Sequence, residues 1–211
     1  MMPGMSEASA LLGHGSARER IVVAATRLFW QRGYHAVSTG DICRAAGVLK
    51  GSLYHAFPAK ADILTACLEQ VWTRNWADIN SLYARSETPE AGFRAHLSWF
   101  AESQRRLRDE AGAVLGTFDM ALGVSIPSQV LDDMQCHIAE HFALTRSAIS
   151  AVLNLGPDDE SYATWLAEIV LQLANGTMIR ARLSNDLAPL EALPATVVQL
   201  LRATSRWREL G

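Results

Sequence analysis

Lysine is almost missing from these 211 residues: Lys50 and Lys60 are the only two, and arginine supplies the rest of the positive charge. Cysteine is nearly as scarce. Cys43, Cys67 and Cys136 are widely spaced and odd in number, which excludes a disulfide framework and points to reduced thiols in a cytoplasmic protein. No C-x-x-C spacing suggests structural zinc, and no cofactor is expected. No apolar run is long enough to span a membrane: the longest, WLAEIVLQLANGTMI, is interrupted by Glu168, Gln172 and Asn175. The first sixteen residues, MMPGMSEASALLGHGS, contain neither Lys nor Arg, so the basic start of a signal peptide is missing. Their Gly, Ser and Pro content predicts a disordered arm over 1–16. No stretch alternates as a β-strand does, and no internal repeat occurs.

What is present suffices for a sizeable helical core. The chain is 49% hydrophobic and 19% charged, in the range of ordinary soluble proteins. Its net charge of −3 conceals an asymmetry. Residues 1–60 hold seven basic side chains (Arg18, Arg20, Arg27, Arg32, Arg44, Lys50, Lys60) against Glu7, Glu19 and Asp41, or +4, which leaves −7 on residues 61–211. A basic head on an acidic body is expected where only one end of a molecule meets phosphates.

The head reads as three short helices. In RERIVVAATRLFWQRGY, apolar Ile21, Ala24, Ala25, Leu28 and Phe29 recur at helical spacing until Gly33. STGDICRAAG opens with Ser38 and Thr39, both good N-caps, and stops at Gly47. After Val48 a helix carries Lys50 to His55, and Pro58 ends it at Phe57. Helix, short helix, glycine turn and short helix form a helix-turn-helix. Beyond it, proline and glycine signals predict long helices over 60–84, 89–108, 127–155 and about 158–182, with a short apolar piece at 112–123 and a last helix that Pro194 opens and that ends near Trp207. The expected fold class is all-α.

The run from Ala24 to Lys60 resembles the DNA-binding head of TetR-type transcriptional regulators. The shared features are A-x-x-L-F-x-x-x-G-Y, T-x-x-I-x-x-A-A-G-V and K-G-S-L-Y-x-x-F-P-x-K, in that order across roughly forty residues. Looser echoes occur at GAVLGTFDMALG and ANGTMIRARLSND. The resemblance implies a helix-turn-helix DNA-binding domain over 17–60 and a ligand-binding and dimerisation body over 61–211. It also implies a homodimer, not an enzyme, that represses transcription until a small-molecule effector releases it from a double-stranded operator.

Carried over residue by residue, the resemblance makes Thr39 a phosphate contact at a helix start. Lys50 would reach a guanine edge or a phosphate, Gly51 would let the backbone approach the duplex, and Ser52, Tyr54 and His55 would face outward. Lys60 would pair with a further phosphate. Leu49 departs from the pattern, which has a small hydroxyl residue there; the lost cap should cost about 1 kcal/mol, and the leucine can instead contact a thymine methyl. Leu53 and Phe57, four apart, read as the buried side of that helix. Trp72, Trp76, Phe93, His96, Trp99, Phe100, Phe118 and His137 would line a ligand cavity. Leu166, Ile169, Val170, Leu173, Ala174, Thr177 and Met178, with Leu193, Val197, Leu200, Leu201 and Thr204 on the last helix, are the expected dimer face.

Two other function classes compete. His137-Ile138-Ala139-Glu140-His141 spells H-x-x-E-H, a pattern that zinc hydrolases use with both histidines on one helix face and the glutamate as general base. A catalytic zinc needs a third protein ligand, and no partner motif follows. The second alternative is a ligand-binding helical protein without DNA binding, for which Leu49 is the one hint.

Overall fold

The computed structural model describes residues 15–122 and 126–210. Most of the expected arm therefore lies outside the described residues, but Ser16 does not: it caps the first helix, α1 (Ala17–Arg32). Its hydroxyl accepts from the Glu19 N–H at 3.2 Å while the Glu19 carboxylate accepts from the Ser16 N–H at 2.8 Å, so the S-x-x-E spacing satisfies two amides that a bare helix start would leave unpaired. Gly33, at φ 76°, ends α1, and the buried ring of Tyr34 folds back onto Phe29 with centroids 5.4 Å apart.

The head continues through α2 (Thr39–Ala46) and α3 (Lys50–Ala56). Beyond it come α4 (Lys60–Arg85), α5 (Pro89–Ala111), α6 (Phe118–Leu122), α7 (Ser128–Leu153), a 3-10 turn (Pro157–Asp159), α8 (Glu160–Ser184) and α9 (Ala188–Leu210). Among the described residues there is no strand, so the class is all-α as expected. No helix of the described residues is long and apolar enough to cross a membrane.

Contacts divide the chain into two compact units: Met1–Asn75 with Arg106–Cys136, and Trp76–Arg105 with His137–Gly211. In the first, Ile21, Phe29, Ile42, Leu53, Ile63 and Leu64 are fully buried, so α1 to α4 close over one apolar centre. The same core holds Phe118, edge-on to Trp30 at 5.2 Å, and the Trp30 indole N–H donates to the Gly116 carbonyl at 3.2 Å. In the second, Phe93, Leu97, Ile149, Leu166, Val170, Val197 and Leu201 form the core.

Two expectations are corrected. Pro194 does not open the last helix: α9 starts at Ala188, whose N–H donates to Asp186 Oδ1 at 3.0 Å, and Pro194 lies inside it. An interior proline costs ~3 kcal/mol. The added turns bury Leu187, Leu190 and Leu193 to 3% exposure or less, and each such side chain returns about 1.5–3 kcal/mol, so burial prevails. The apolar stripe expected to face a second subunit is also mostly core. Leu166, Val170, Ala174 and Met178 on α8, and Leu193, Val197 and Leu201 on α9, are all buried within the chain.

Candidate nucleic-acid interface

Both Ser38 and Thr39 are able to start α2, and the structure divides their work. Ser38 takes the cap: its hydroxyl accepts from the Asp41 N–H at 3.1 Å, and the Asp41 carboxylate accepts from the Ser38 N–H at 3.0 Å. The Ser38 hydroxyl, which also donates to Asp41 Oδ2 at 2.6 Å, and secondly the Ser38 N–H hold the Asp41 carboxyl below its ordinary pKa. Thr39 is left with its hydroxyl directed to Tyr54 on α3, Oγ1 to Oη 3.3 Å. Two adjacent hydroxyls at the amino end of a helix can donate together to one phosphate. Gly47, left-handed at φ 62°, closes α2 and sends its N–H to the Cys43 carbonyl.

Residue Leu49 is the N-cap of α3 and makes no side-chain cap bond. Leu53 and Phe57 hold this seven-residue helix from beneath, 0% and 2% exposed. Everything else expected to touch DNA on α3 is exposed: Leu49, Lys50, Gly51, Ser52, Tyr54 and His55. A Cβ added to Gly51 would meet nothing within 4 Å. The fold itself does not require glycine there.

Lys60 is placed differently. Its ammonium donates to the carbonyls of Tyr34 and Val37, each at 3.0 Å, and lies 4.0 Å from the centroid of the Tyr34 ring. Partial burial lowers its pKa. Two of its three donors thus fasten the loop between α1 and α2, and one remains for other work. Lys60→Met is expected to cost about 2 kcal/mol, the scale of hydrogen bonds made by a charged group, and to lower the melting midpoint by several degrees. Lost duplex binding with an unchanged midpoint would instead make Lys60 a phosphate contact only.

Inspection of the sequence missed a neighbour of this surface. An open hollow of about 640 Å³ is lined by Ser16, Ala17 and Arg18 at the start of α1 and by Gly51, Ser52, His55 and Ala56 on α3. Arg18 stands over the Phe57 ring, 4.8 Å from its centroid. The Ser16/Glu19 capping pattern would have located this end of α1.

Of the eight residues expected around a ligand, the structure gathers four. Phe93, His96 and Phe100 lie on successive turns of α5, with His96 stacked on Phe100 at 5.7 Å and edge-on to Phe93 at 6.5 Å, and Trp99 packs edge-on to Phe100 at 5.6 Å. His96 is 1% exposed, and both ring nitrogens are engaged: Nδ1 with Tyr83 Oη at 3.1 Å, Nε2 with His141 Nε2 at 3.4 Å. Burial first, and the neighbouring His141 second, bring its pKa down to about 3. Trp76 and His137 are half-buried in the same unit, whereas Trp72 and Phe118 belong to the other. In the H-x-x-E-H segment, His137 Nδ1 lies 3.3 Å from Glu140 Oε2, whereas His141 meets His96. Among the described residues no group of three or more His, Cys, Asp or Glu is arranged to hold a metal ion.

A capped helix, a left-handed glycine and a short helix exposing hydroxyl, ammonium and imidazole groups define a helix-turn-helix DNA-binding protein. Residues 21–67 match the family described as bacterial regulatory proteins, tetR family. The chain is 25% identical to the HTH-type transcriptional regulator LmrA of Bacillus subtilis (strain 168) over 192 residues, covering 90% of this chain and 100% of that one. It is 46% identical to the HTH-type regulator YxaF of the same organism over 48 residues, 23% of this chain and 25% of that one. Its fold matches SCO4454, a TetR-family transcriptional regulator from Streptomyces coelicolor, with a TM-score of 0.74 at 21% identity over 89% and 95% of the two chains. Residues 21–67 thus carry the DNA-binding domain of the tetR family, and similarity to an HTH-type transcriptional regulator extends over most of the chain.

Proposed function

We propose that the protein is a homodimeric repressor that leaves its operator when a small molecule enters the body. The observation that carries this reading is the outer surface of α2 and α3, where the Thr39–Tyr54 hydroxyl pair accompanies exposed Lys50 and an unobstructed Gly51. In this reading Thr39 and Tyr54 share a phosphate, Lys50 takes a phosphate or a guanine edge, and Ser52 and His55 contact bases or backbone. Gly51 allows close approach.

A dimer is supported by the face of α8 that the core does not use. Trp165, Ile179 and Leu183 are 48%, 50% and 83% exposed. At 100° per residue they fall with Gly176 on one narrow stripe, and a Cβ at Gly176 would meet nothing within 4 Å. The effector reading rests on the aromatic cluster around His96, whose apolar surroundings and few polar groups suit a small-molecule site. Two heads must sit ~34–36 Å apart to enter successive major grooves, and a ligand preferring another separation lowers affinity by its differential binding, ~1–3 kcal/mol. α4 runs unbroken from Lys60 to Arg85 and is the proposed lever.

Light scattering should give twice the mass of one chain, and Ile179→Glu with Leu183→Glu should reduce it to one while weakening operator binding more than a hundredfold, since a single head keeps half the contacts. Wild-type protein that scatters as a monomer at micromolar concentration overturns the dimer. Operator fragments selected from the source genome, then challenged with metabolite extracts, test release; an operator complex indifferent to every fraction overturns the effector reading.

A further inference from the structure

Leucine 49 is the one large apolar side chain that the head leaves almost wholly in water, 80% exposed at the first position of the recognition segment. The fold gains nothing from it. It makes no cap bond on a helix of only seven residues, whereas neighbouring Val48 does pack against the core. Serine or threonine in its place would stabilise the same helix start. Its surroundings are equally open: Cβ atoms at Gly47 and Gly51, two residues to either side, would meet nothing within 4 Å.

A helix-turn-helix brings the amino end of its second helix to the base edges of the major groove. In unmodified DNA that groove offers a side chain one apolar group, the C5-methyl of thymine. We propose that Leu49 is a specificity-determining residue that covers a thymine methyl in each operator half-site. The proposal rests on the DNA-binding surface described above and adds the base it selects. Leu49 would contribute by excluding water from the methyl, Lys50 beside it by charge, and the Thr39–Tyr54 pair by fixing the register.

The test uses the full chain and a randomised duplex library, followed by anisotropy on the enriched duplex with deoxyuridine substituted at each thymine in turn. Deoxyuridine keeps every hydrogen-bonding edge and lacks only the methyl. One thymine per half-site is expected to matter, at about fourfold in affinity, the worth of one buried methylene-sized group. Leu49→Ala should bind more weakly and lose that sensitivity. Leu49→Ser, which restores a capping residue and so guards against a frayed helix, should be equally insensitive. Wild-type protein indifferent to deoxyuridine at every position overturns the proposal, as does Leu49→Ala that retains full affinity or the deoxyuridine penalty. Failure of the full chain to enrich any duplex removes the DNA-binding surface itself, an outcome distinct from enrichment without a methyl effect.

Discussion

Acidification from pH 7 to pH 5 is expected to remove about 2 kcal/mol of the stability that His96 helps to set, and His96→Gln to abolish most of that loss. In the unfolded chain His96 is an ordinary imidazole with a pKa of 6.5; in the folded chain burial and His141 lower it to about 3. As pH falls, the unfolded state therefore takes up the proton first. Stability is complete above pH 6.5 and drains away toward pH 3, at ~1.4 kcal/mol for each pH unit inside that window. The ring is 1% exposed, so little solvent screening reduces the effect.

Several residues hold His96 in this unfavourable place. Tyr83 reaches Nδ1 because Gly92 lies beneath its ring: a Cβ at Gly92 would stand 2.8 Å from Tyr83 Cδ1. Phe93 and Phe100 supply apolar walls. A glutamine at 96 can bond to both Tyr83 and His141 without titrating, so urea midpoints at pH 7, 6 and 5 separate the ring from the other histidines, which both proteins share. If His96→Gln weakens with acid as steeply as the wild type, the ring is not the source.

The head was readable because its boundaries are set by chemistry within four residues of each end. Ser38, Gly33 and Gly47 each act locally and bound the helices where their places in the sequence put them, whereas Ser16, expected in a disordered arm, caps α1 with Glu19. Elsewhere the deciding partners are distant in sequence. Lys60 looked like a free phosphate ligand because the carbonyls it fastens belong to residues 34 and 37. The H-x-x-E-H segment suggested that His137 and His141 act together, yet His141 meets His96, forty-five positions away. Pro194 carries a strong local signal that burial of three leucines outweighs. On α8 apolar residues occur on both sides, and periodicity cannot say which side the core will take. Leu166 and Val170 face inward, and Trp165 and Leu183 do not.

Operator affinity should fall about a thousandfold when salt is raised from 50 to 200 mM. Arg18 beside α3, Arg44 on α2 and Lys50 on α3 are exposed cations of the head, so in the proposed dimer two heads bring at least six toward the duplex. Six neutralised phosphates give a log–log slope near −5, and a fourfold rise in salt then costs roughly 10³ in binding constant. The acidic remainder of the chain, −7 over residues 61–211, works slightly the other way, because added salt also screens its repulsion from the duplex. Arg44 contributes least of the three, since Asp41 already lies 3.3 Å from it. Lys50 has no such neighbour among the described residues, and Lys50→Ala should flatten the slope by about 2, one phosphate per head. Thr39→Ala should weaken binding at every salt concentration with the slope intact, because a hydroxyl displaces no counterion. A Lys50→Ala protein with the wild-type slope but relaxed base preference would move that ammonium from a phosphate to a guanine edge. A wild-type slope near zero would mean that phosphates do not hold this head to DNA.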